Sequence, residues 1–294
     1  MDTNSQFSAQ PGSTRGVIWM SISAACYALT YATVRQLSDD FHTFQIVFFR
    51  AALGVTIMLP WLFRAGLGAL KTNRYGLYGI RVGLNYFGMV CLMYGIANLK
   101  LQDVTALMFT VPLFTVLFVA MLLGEKVGLH RWVALAIGFA GALVIIRPGI
   151  IELSLASIAV MFTSASYSLV NTATKSLAAT EQPNAIVFYV FAMMAAVGIG
   201  PALTVWVTPS PIHWPWIIAM GIFGSLATVS LTRSFAAADA SVVMPFNFLK
   251  LPFAVMLGLV MFAEMPDLWT NVGAAIIFST TYYMFRREAR DKAS

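Results

Sequence analysis

Charge is what this sequence has least of. Lysine, arginine, aspartate and glutamate make up 10% of its 294 residues, where a soluble domain would carry roughly 25%. That shortage excludes an ordinary water-soluble globule. Cysteine is almost missing too. Cys26 and Cys91, the only two, lie in apolar stretches and read as small packing residues. They supply neither a disulfide framework nor metal-ligand spacing. Carboxylates are missing from the centres of the apolar runs: Asp2, Asp39, Asp40, Asp103, Glu125, Glu152, Glu181, Asp239, Glu264, Asp267, Glu288 and Asp291 all fall elsewhere. His42, His130 and His213 lie at the ends of those runs. An intramembrane serine hydrolase, for which FGSL (Phe223 to Leu226) offers a serine, therefore has no histidine base at membrane depth. MDTNSQFSAQPGSTRG lacks a basic stretch followed by a short apolar core, which argues against a cleaved signal peptide. SAAC (Ser23 to Cys26) faintly resembles a lipoprotein cleavage site but lies inside a full-length apolar run, so it reads as helix interior.

What is present is apolar. Hydrophobic residues account for 59% of the chain, with a mean hydropathy of +0.79. Ten windows approach the length that spans lipid, about 20 residues: 16–34, 43–63, 75–97, 104–123, 130–147, 154–175, 184–204, 214–235, 241–262 and 269–286. Backbone groups in lipid must be satisfied internally, so runs of this kind read as helices. The expected fold is an all-α integral membrane protein of ten transmembrane helices. Its connections are too short for a soluble catalytic domain, and no enzyme activity is expected.

A pI near 9.4 would suit nucleic acid, but the basic residues sort by membrane side instead. Threading ten spans from a cytoplasmic N-terminus puts Arg15, Arg64, Lys71, Arg74, Lys126, Arg131, Lys175, Arg286, Arg287, Arg290 and Lys292 inside, and Arg35, Lys100 and Arg147 outside. Both termini are expected in the cytoplasm, and short basic loops suit a bacterial inner membrane. Trp61, Trp132, Trp214, Trp216 and Trp269 sit near span ends, as an interfacial belt requires. The expected partners are the bilayer and a small-molecule substrate, with no nucleic acid, cofactor or metal. A monomer is admissible.

The chain repeats itself. SAACYALTYATVRQL (Ser23 to Leu37) matches TSASYSLVNTATKSL (Thr163 to Leu177), placing Tyr27 on Tyr167, Leu29 on Leu169 and Arg35 on Lys175. The same offset places Ile46–Phe49 on Ile186–Tyr189 and Pro112 on Pro252. With one residue of slip, Glu125 falls on Glu264 and Arg147 on Arg286. Each half holds five spans, an odd number, so the second half is inverted in the membrane. Inverted repeats serve carriers, whose two similar bundles rock about a midplane site. The expected division is a disordered tail (1–15), a first repeat (16–149), a second repeat (150–288) and a basic tail (289–294).

These repeats resemble the EamA repeats of the drug/metabolite transporter superfamily. The likeness rests on Pro112 with Gly124–Glu125 closing the fourth span, Pro252 with Ala263–Glu264 closing the ninth, and the glycine-rich GFAGALVIIRPG (Gly138 to Gly149). Within the superfamily the overall look is similar to YddG-type amino-acid exporters. That resemblance implies export of amino acids, aromatic ones among them, by alternating access.

Four cations fall within spans: Arg50, Arg81, Arg233 and Lys250. At about 1.5 Å per residue, the arginines lie near enough to span ends to snorkel, with Arg50 slightly deeper. Lys250 lies about 14 Å from one end of its span and about 18 Å from the other. It has no carboxylate at its depth. Three outcomes are open: it is neutral through desolvation, it bonds carbonyls freed by Pro112 or Pro252, or it faces a wet cavity and meets an anionic group of the substrate. Helical spacing groups further polar candidates with it: Asn247 on its own span, Arg81 and Asn85 with Gly88, Tyr27 and Tyr31 with Ser23 and Thr30, and Tyr167 and Asn171 with Thr163. Tyr86 joins them because a buried hydroxyl needs a partner. Ser and Thr in this set also suit helix-to-helix bonding, and GIRVG (Gly79 to Gly83) reads as a close-packing motif. Pro112 and Pro252 are candidate hinges. Glu125 and Glu264 are candidate gate latches, with Arg131 as a basic partner.

Without a central acid or histidine, facilitated diffusion is expected over obligate proton antiport. An organic-cation exporter would want an acidic cavity. A nucleotide-sugar carrier would want more than one central cation. A sensor or scaffold would not need the inverted repeat. The charge asymmetry predicts that a C-terminal fusion to a reporter active only in the cytoplasm is active, while the same reporter fused after Arg147 is silent. The reverse pattern would overturn the topology.

Overall fold

The computed structural model describes residues 13–98, 107–108, 110–146, 154–262 and 268–290. Glu264 lies outside them. The first half supplies α1 (Ser13–Leu37), α2 (Thr43–Ala65), α3 (Tyr75–Asn98), α4 (Thr110–Leu123) and α5 (Leu129–Ile146). The second supplies α6 (Leu155–Ala178), α7 (Pro183–Thr204), α8 (Trp214–Ala237), α9 (Ala240–Val243), α10 (Lys250–Phe262) and α11 (Leu268–Arg290). A 3-10 segment, Met244–Leu249, joins α9 to α10, and the three together form the ninth span. No strand occurs among the described residues. Five stretches are both long and apolar enough to cross a membrane: Thr14–Leu37, Thr43–Ala65, Pro183–Thr204, Trp214–Ala237 and Ala240–Met261. The helix α6 is as long as α8, 24 residues each, but hydroxyl and amide residues on one face lower its hydropathy.

Local chemistry sets the helix starts. The His42 ring accepts the Phe44 N–H at the start of α2. Ser154 Oγ accepts the Ser157 N–H at the start of α6, and Pro183 opens α7 with its preset φ. α1 begins at Ser13, inside the stretch expected as a polar tail. Packing extends it: Ser234 Oγ of α8 donates to the Gly16 carbonyl at 2.7 Å, and a Cβ at Gly16 would meet Ala238 Cβ at 2.6 Å.

The ninth span breaks for a readable reason. Pro245 and Pro252 have no N–H to give to the carbonyls of Ser241 and Phe248, so two α-helical bonds cannot form. The backbone between them tightens into the 3-10 pattern. The Lys250 N–H then bonds the carbonyls of Asn247 and Phe248. Such a segment is tolerated at membrane depth only inside protein. Here Phe246 and Phe248 are each 1% exposed, and the segment touches α1, α4, α5 and α11. Pro112 and Pro252 were expected to break their helices near mid-span. Pro252 does so together with Pro245, and Pro112 and Pro252 each occupy the first turn of the helix that follows, α4 and α10.

The halves interleave. The most extensive contacts pair α1 with α8, α3 with α6, α2 with α7 and α5 with α11. Exchanging each helix for its counterpart in the other half turns the first pair into the second and each of the others into itself. The next contacts, α4–α6 and α1–α10, are likewise counterparts. Two groups result: α1, α2, α8 and the ninth span in one, α3, α4, α6 and α7 in the other. Ser23 Oγ of α1 donates to the Ala227 carbonyl of α8 at 2.9 Å. Its repeat mate, Thr163 of α6, donates to the Gly88 carbonyl of α3 at 2.9 Å.

The GxxxG motif at Gly79 and Gly83 does not pack as expected: a Cβ at either would find nothing within 4 Å. Close approach on α3 falls instead at Gly88, against Tyr167 and Ser166, and at Gly95, where a Cβ would lie 2.2 Å from Val160 Cγ2. Gly95→Val is therefore expected to destabilise the protein by about 1–3 kcal/mol through overpacking, and Gly79→Val to change little. Melting curves in detergent check both, and a larger loss for Gly79→Val would contradict the seam.

Candidate functional site

Between the two groups lies a cavity of about 160 Å³, enough for roughly ten waters. Among the described residues, its lining includes no aspartate, glutamate or histidine. Its polar lining comes mainly from α1 (Tyr27, Tyr31), α3 (Arg81, Asn85), α6 (Tyr167, Asn171) and the ninth span (Asn247, Lys250). Eight of the nine residues proposed from the sequence for the cavity thus meet around one space. Tyr86 does not. One residue further along α3 than Asn85, it turns about 100° away and is buried beside Val82, Met89 and Met194 in the packing of α2, α3 and α7. Its hydroxyl has no hydrogen-bond partner there.

Lys250 follows the 3-10 segment directly, about 15–18 Å along the span from Ala240. Its Nζ lies 4.7 Å from the centre of the Tyr27 ring and 5.6 Å from that of Tyr31. Among the described residues it has no hydrogen-bond acceptor and no ion-pair partner. The two tyrosines stack one helical turn apart, with ring centres 6.2 Å from each other, and present π faces to the cation. The carbonyls beside Pro252 do not capture it. The hydroxyls of Tyr27, Tyr31 and Tyr167 and the Asn247 amide also have no hydrogen-bond partner among the described residues. Asn171 is partly used, donating to Thr115 Oγ1 at 3.2 Å, and Asn85 donates to Met194 Sδ.

Arg81 and Arg50, which depth alone would let snorkel, both line the cavity but are held differently. Arg81 is held by the structure: Nε donates to Thr174 Oγ1 at 2.9 Å and Nη1 to the Ile186 carbonyl at 3.5 Å. Arg50, which depth left as a snorkelling candidate, lines the cavity and is 7% exposed. The glycine opposite it, Gly224, carries no signal in the sequence that would pair the two.

The end of the cavity on the side where α1 begins is crossed by bonds between the two groups. Glu125, after α4, accepts the N–H groups of Ala240 at 3.2 Å and Ser241 at 2.9 Å, and the Ser241 hydroxyl. It thereby serves the start of α9, where the extended Asp239 offers no side-chain cap. Arg131 Nη1 donates to the same Ser241 hydroxyl at 2.9 Å, so the expected pair meets at a shared serine. Lys175 Nζ of α6 donates to the carbonyls of Phe235 and Ala238 at 3.1 and 2.6 Å and lies 3.8 Å from Asp239 Oδ1. Nearby polar bonds stay within one group. Arg74 donates to the Ser176 carbonyl and hydroxyl, and Glu181 accepts from Thr72 and Tyr78. No set of His, Cys, Asp and Glu among the described residues is grouped to hold a metal. Glu125→Ala, which strips the start of α9 of its acceptor, is expected to cost about 1–3 kcal/mol, read as a lower melting temperature. Glu125→Gln, which keeps an acceptor, should lose less.

The sequence pattern of the EamA-like transporter family matches residues 14–147 and again 154–286. The S-adenosylmethionine uptake transporter of Rickettsia prowazekii is 26% identical, over 95% of this chain and 95% of its own. The riboflavin transporter of Vibrio cholerae is 30% identical, over 94% of each. The pseudopaline exporter CntI of Pseudomonas aeruginosa is 27% identical, over 89% of this chain and 93% of its own. One crystal structure superposes with a TM-score of 0.79 at 16% identity, covering 96% of this chain and 99% of the other, which is a likeness of fold.

Proposed function

Because the chain belongs to the EamA-like transporter family, we propose that its cavity carries amino acids or close amino-acid derivatives across the membrane by alternating access. At the coarser level it is a multi-pass inner-membrane transporter of small molecules and not an enzyme. The finer reading rests above all on Lys250, a midplane cation held over two tyrosine rings with no counterion among the described residues. A substrate carboxylate would supply that counterion. Asn247 and the free tyrosine hydroxyls would bind the amino end, and the aromatic and methionine walls would take the side chain. The relatives' named cargoes differ from one another, which supports a small organic metabolite as the class.

The moving bodies in this reading are the two interleaved groups, and the Glu125 and Lys175 bonds are the latch that holds one end shut. The repeat mates of those latch residues, Glu264 and Arg35, would form the alternate latch at the other end. Pro112 and Pro252, at the starts of α4 and α10, would be the hinges. A lining without acid or histidine among the described residues supports passive exchange, so the direction of net flux follows the substrate gradient, with export when the cytoplasmic level is higher. The same lining counts against an organic cation as cargo.

Counterflow of labelled phenylalanine, leucine and glutamate in proteoliposomes without a pH gradient tests this. Wild type is expected to accumulate at least one of the three. Lys250→Met should lose about tenfold or more of that uptake, the scale of a hydrogen bond to a charged group, while keeping its melting temperature. Equal uptake by both proteins would reduce Lys250 to a structural role.

A further inference from the structure

Arg50 is buried in the cavity wall and almost unpaired. Its one partner among the described residues is the thioether of Met89, with Nη1 at 3.5 Å from Sδ, a weak acceptor. Nε is buried with no partner at all. The guanidinium lies against the backbone of α8 because position 224 is glycine: a Cβ there would stand 2.8 Å from Nε. Lys250 lines the same cavity, over the Tyr27 and Tyr31 rings. Two underpaired cations therefore share a space with no lining carboxylate among the described residues. The other two cations of the lining, Arg81 and Arg35, are not free: Arg81 has its own acceptors, and Arg35 is engaged as well.

Resting on the amino-acid reading of the same cavity, we propose that Arg50 is a second anion-binding position and that the substrate carries two anionic groups, one for Lys250 and one for Arg50. The argument is one of charge balance. Burying a cation without a counterion is expensive, and a single carboxylate brings one negative charge against two positive ones. A guanidinium is also the side chain best matched to a planar or tetrahedral anion, through paired N–H donors. A dicarboxylic amino acid, or an amino acid bearing a phosphate, meets both cations and keeps an amino group for the free hydroxyls. Selectivity would then lie in Arg50, with Lys250 common to every substrate.

The test uses full-length purified protein and matched probes that differ in the second charge: glutamate against glutamine, and phosphoserine against serine. Affinities are read from ligand-dependent melting shifts. Wild type is expected to bind at least one charged probe about tenfold more tightly than its neutral partner, and whichever pair shows it identifies the second anion as carboxylate or phosphate. Arg50→Gln should bring that ratio to within about threefold. Gly224→Ala keeps every charge but displaces the guanidinium, so it should narrow the ratio as well; it decides the matter if Arg50→Gln does not fold. Equal binding of charged and neutral probes by wild type would overturn this inference and leave the amino-acid reading standing. So would a preference that survives both substitutions. Absence of binding by all four probes would overturn both readings.

Discussion

A hydroxyl-to-carbonyl bond, made twice, organises this protein. In lipid there is no hydrophobic gain from bringing two apolar helices together, so association depends on close packing and on polar bonds between helices. Ser23 reaching Ala227 and Thr163 reaching Gly88 are the same bond in two copies. Each joins a helix of one half to a helix of the other. The halves therefore cannot fold as separate bundles that later dock. They are threaded through each other, and the space between the two resulting groups is the cavity.

The repeat was legible because it is carried by residue identity at a fixed offset. Lys250 stood out because a lysine at that depth without a carboxylate admits few explanations. Other features were hidden by rotation and neighbourhood. Asn85 and Tyr86 are adjacent in the chain and face different surroundings: the Arg81–Asn85 spacing marks the cavity face of α3, and Tyr86, one residue off it, turns into the packing. Gly79 and Gly83 have the right spacing for a helix seam but face open space, because the seam is chosen by what α6 offers opposite, which is Tyr167 and Val160. Arg50 was undervalued because depth was counted along the chain. About seven residues from the start of α2, some 10 Å, looked close enough for a long side chain to escape, yet its surroundings hold the guanidinium inward. Glu125 stood out in the sequence by its place in the repeat, but its acceptor role toward backbone N–H groups needs the neighbouring helix start to be seen.

The cavity concentrates electrostatic cost. Arg81 shows how the fold treats a buried cation it intends to keep: a hydroxyl and a carbonyl are brought to it. Lys250 and Arg50 receive a pair of ring faces and a thioether instead. A carrier with fully satisfied cations would hold no attraction for an anion. One with a permanent internal carboxylate would compete with its own cargo. Under the proposed function, leaving the cations underpaired makes the empty cavity less stable and an anion-loaded one more so.

The 3-10 segment also sets a compass bearing. An α-helix advances about 100° per residue and a 3-10 helix about 120°, so winding six residues, Met244–Leu249, the tighter way turns everything beyond them by a further ~120° about the span axis. Were those residues α-helical, the lysine that follows would point a third of a turn away from the tyrosines of α1. Two prolines that never touch the cavity thus decide the azimuth of its central charge. The equivalent position in the first half is Thr110, so of the two matched positions only the one in the ninth span is a cation, and the internal symmetry of the chain fails at that residue.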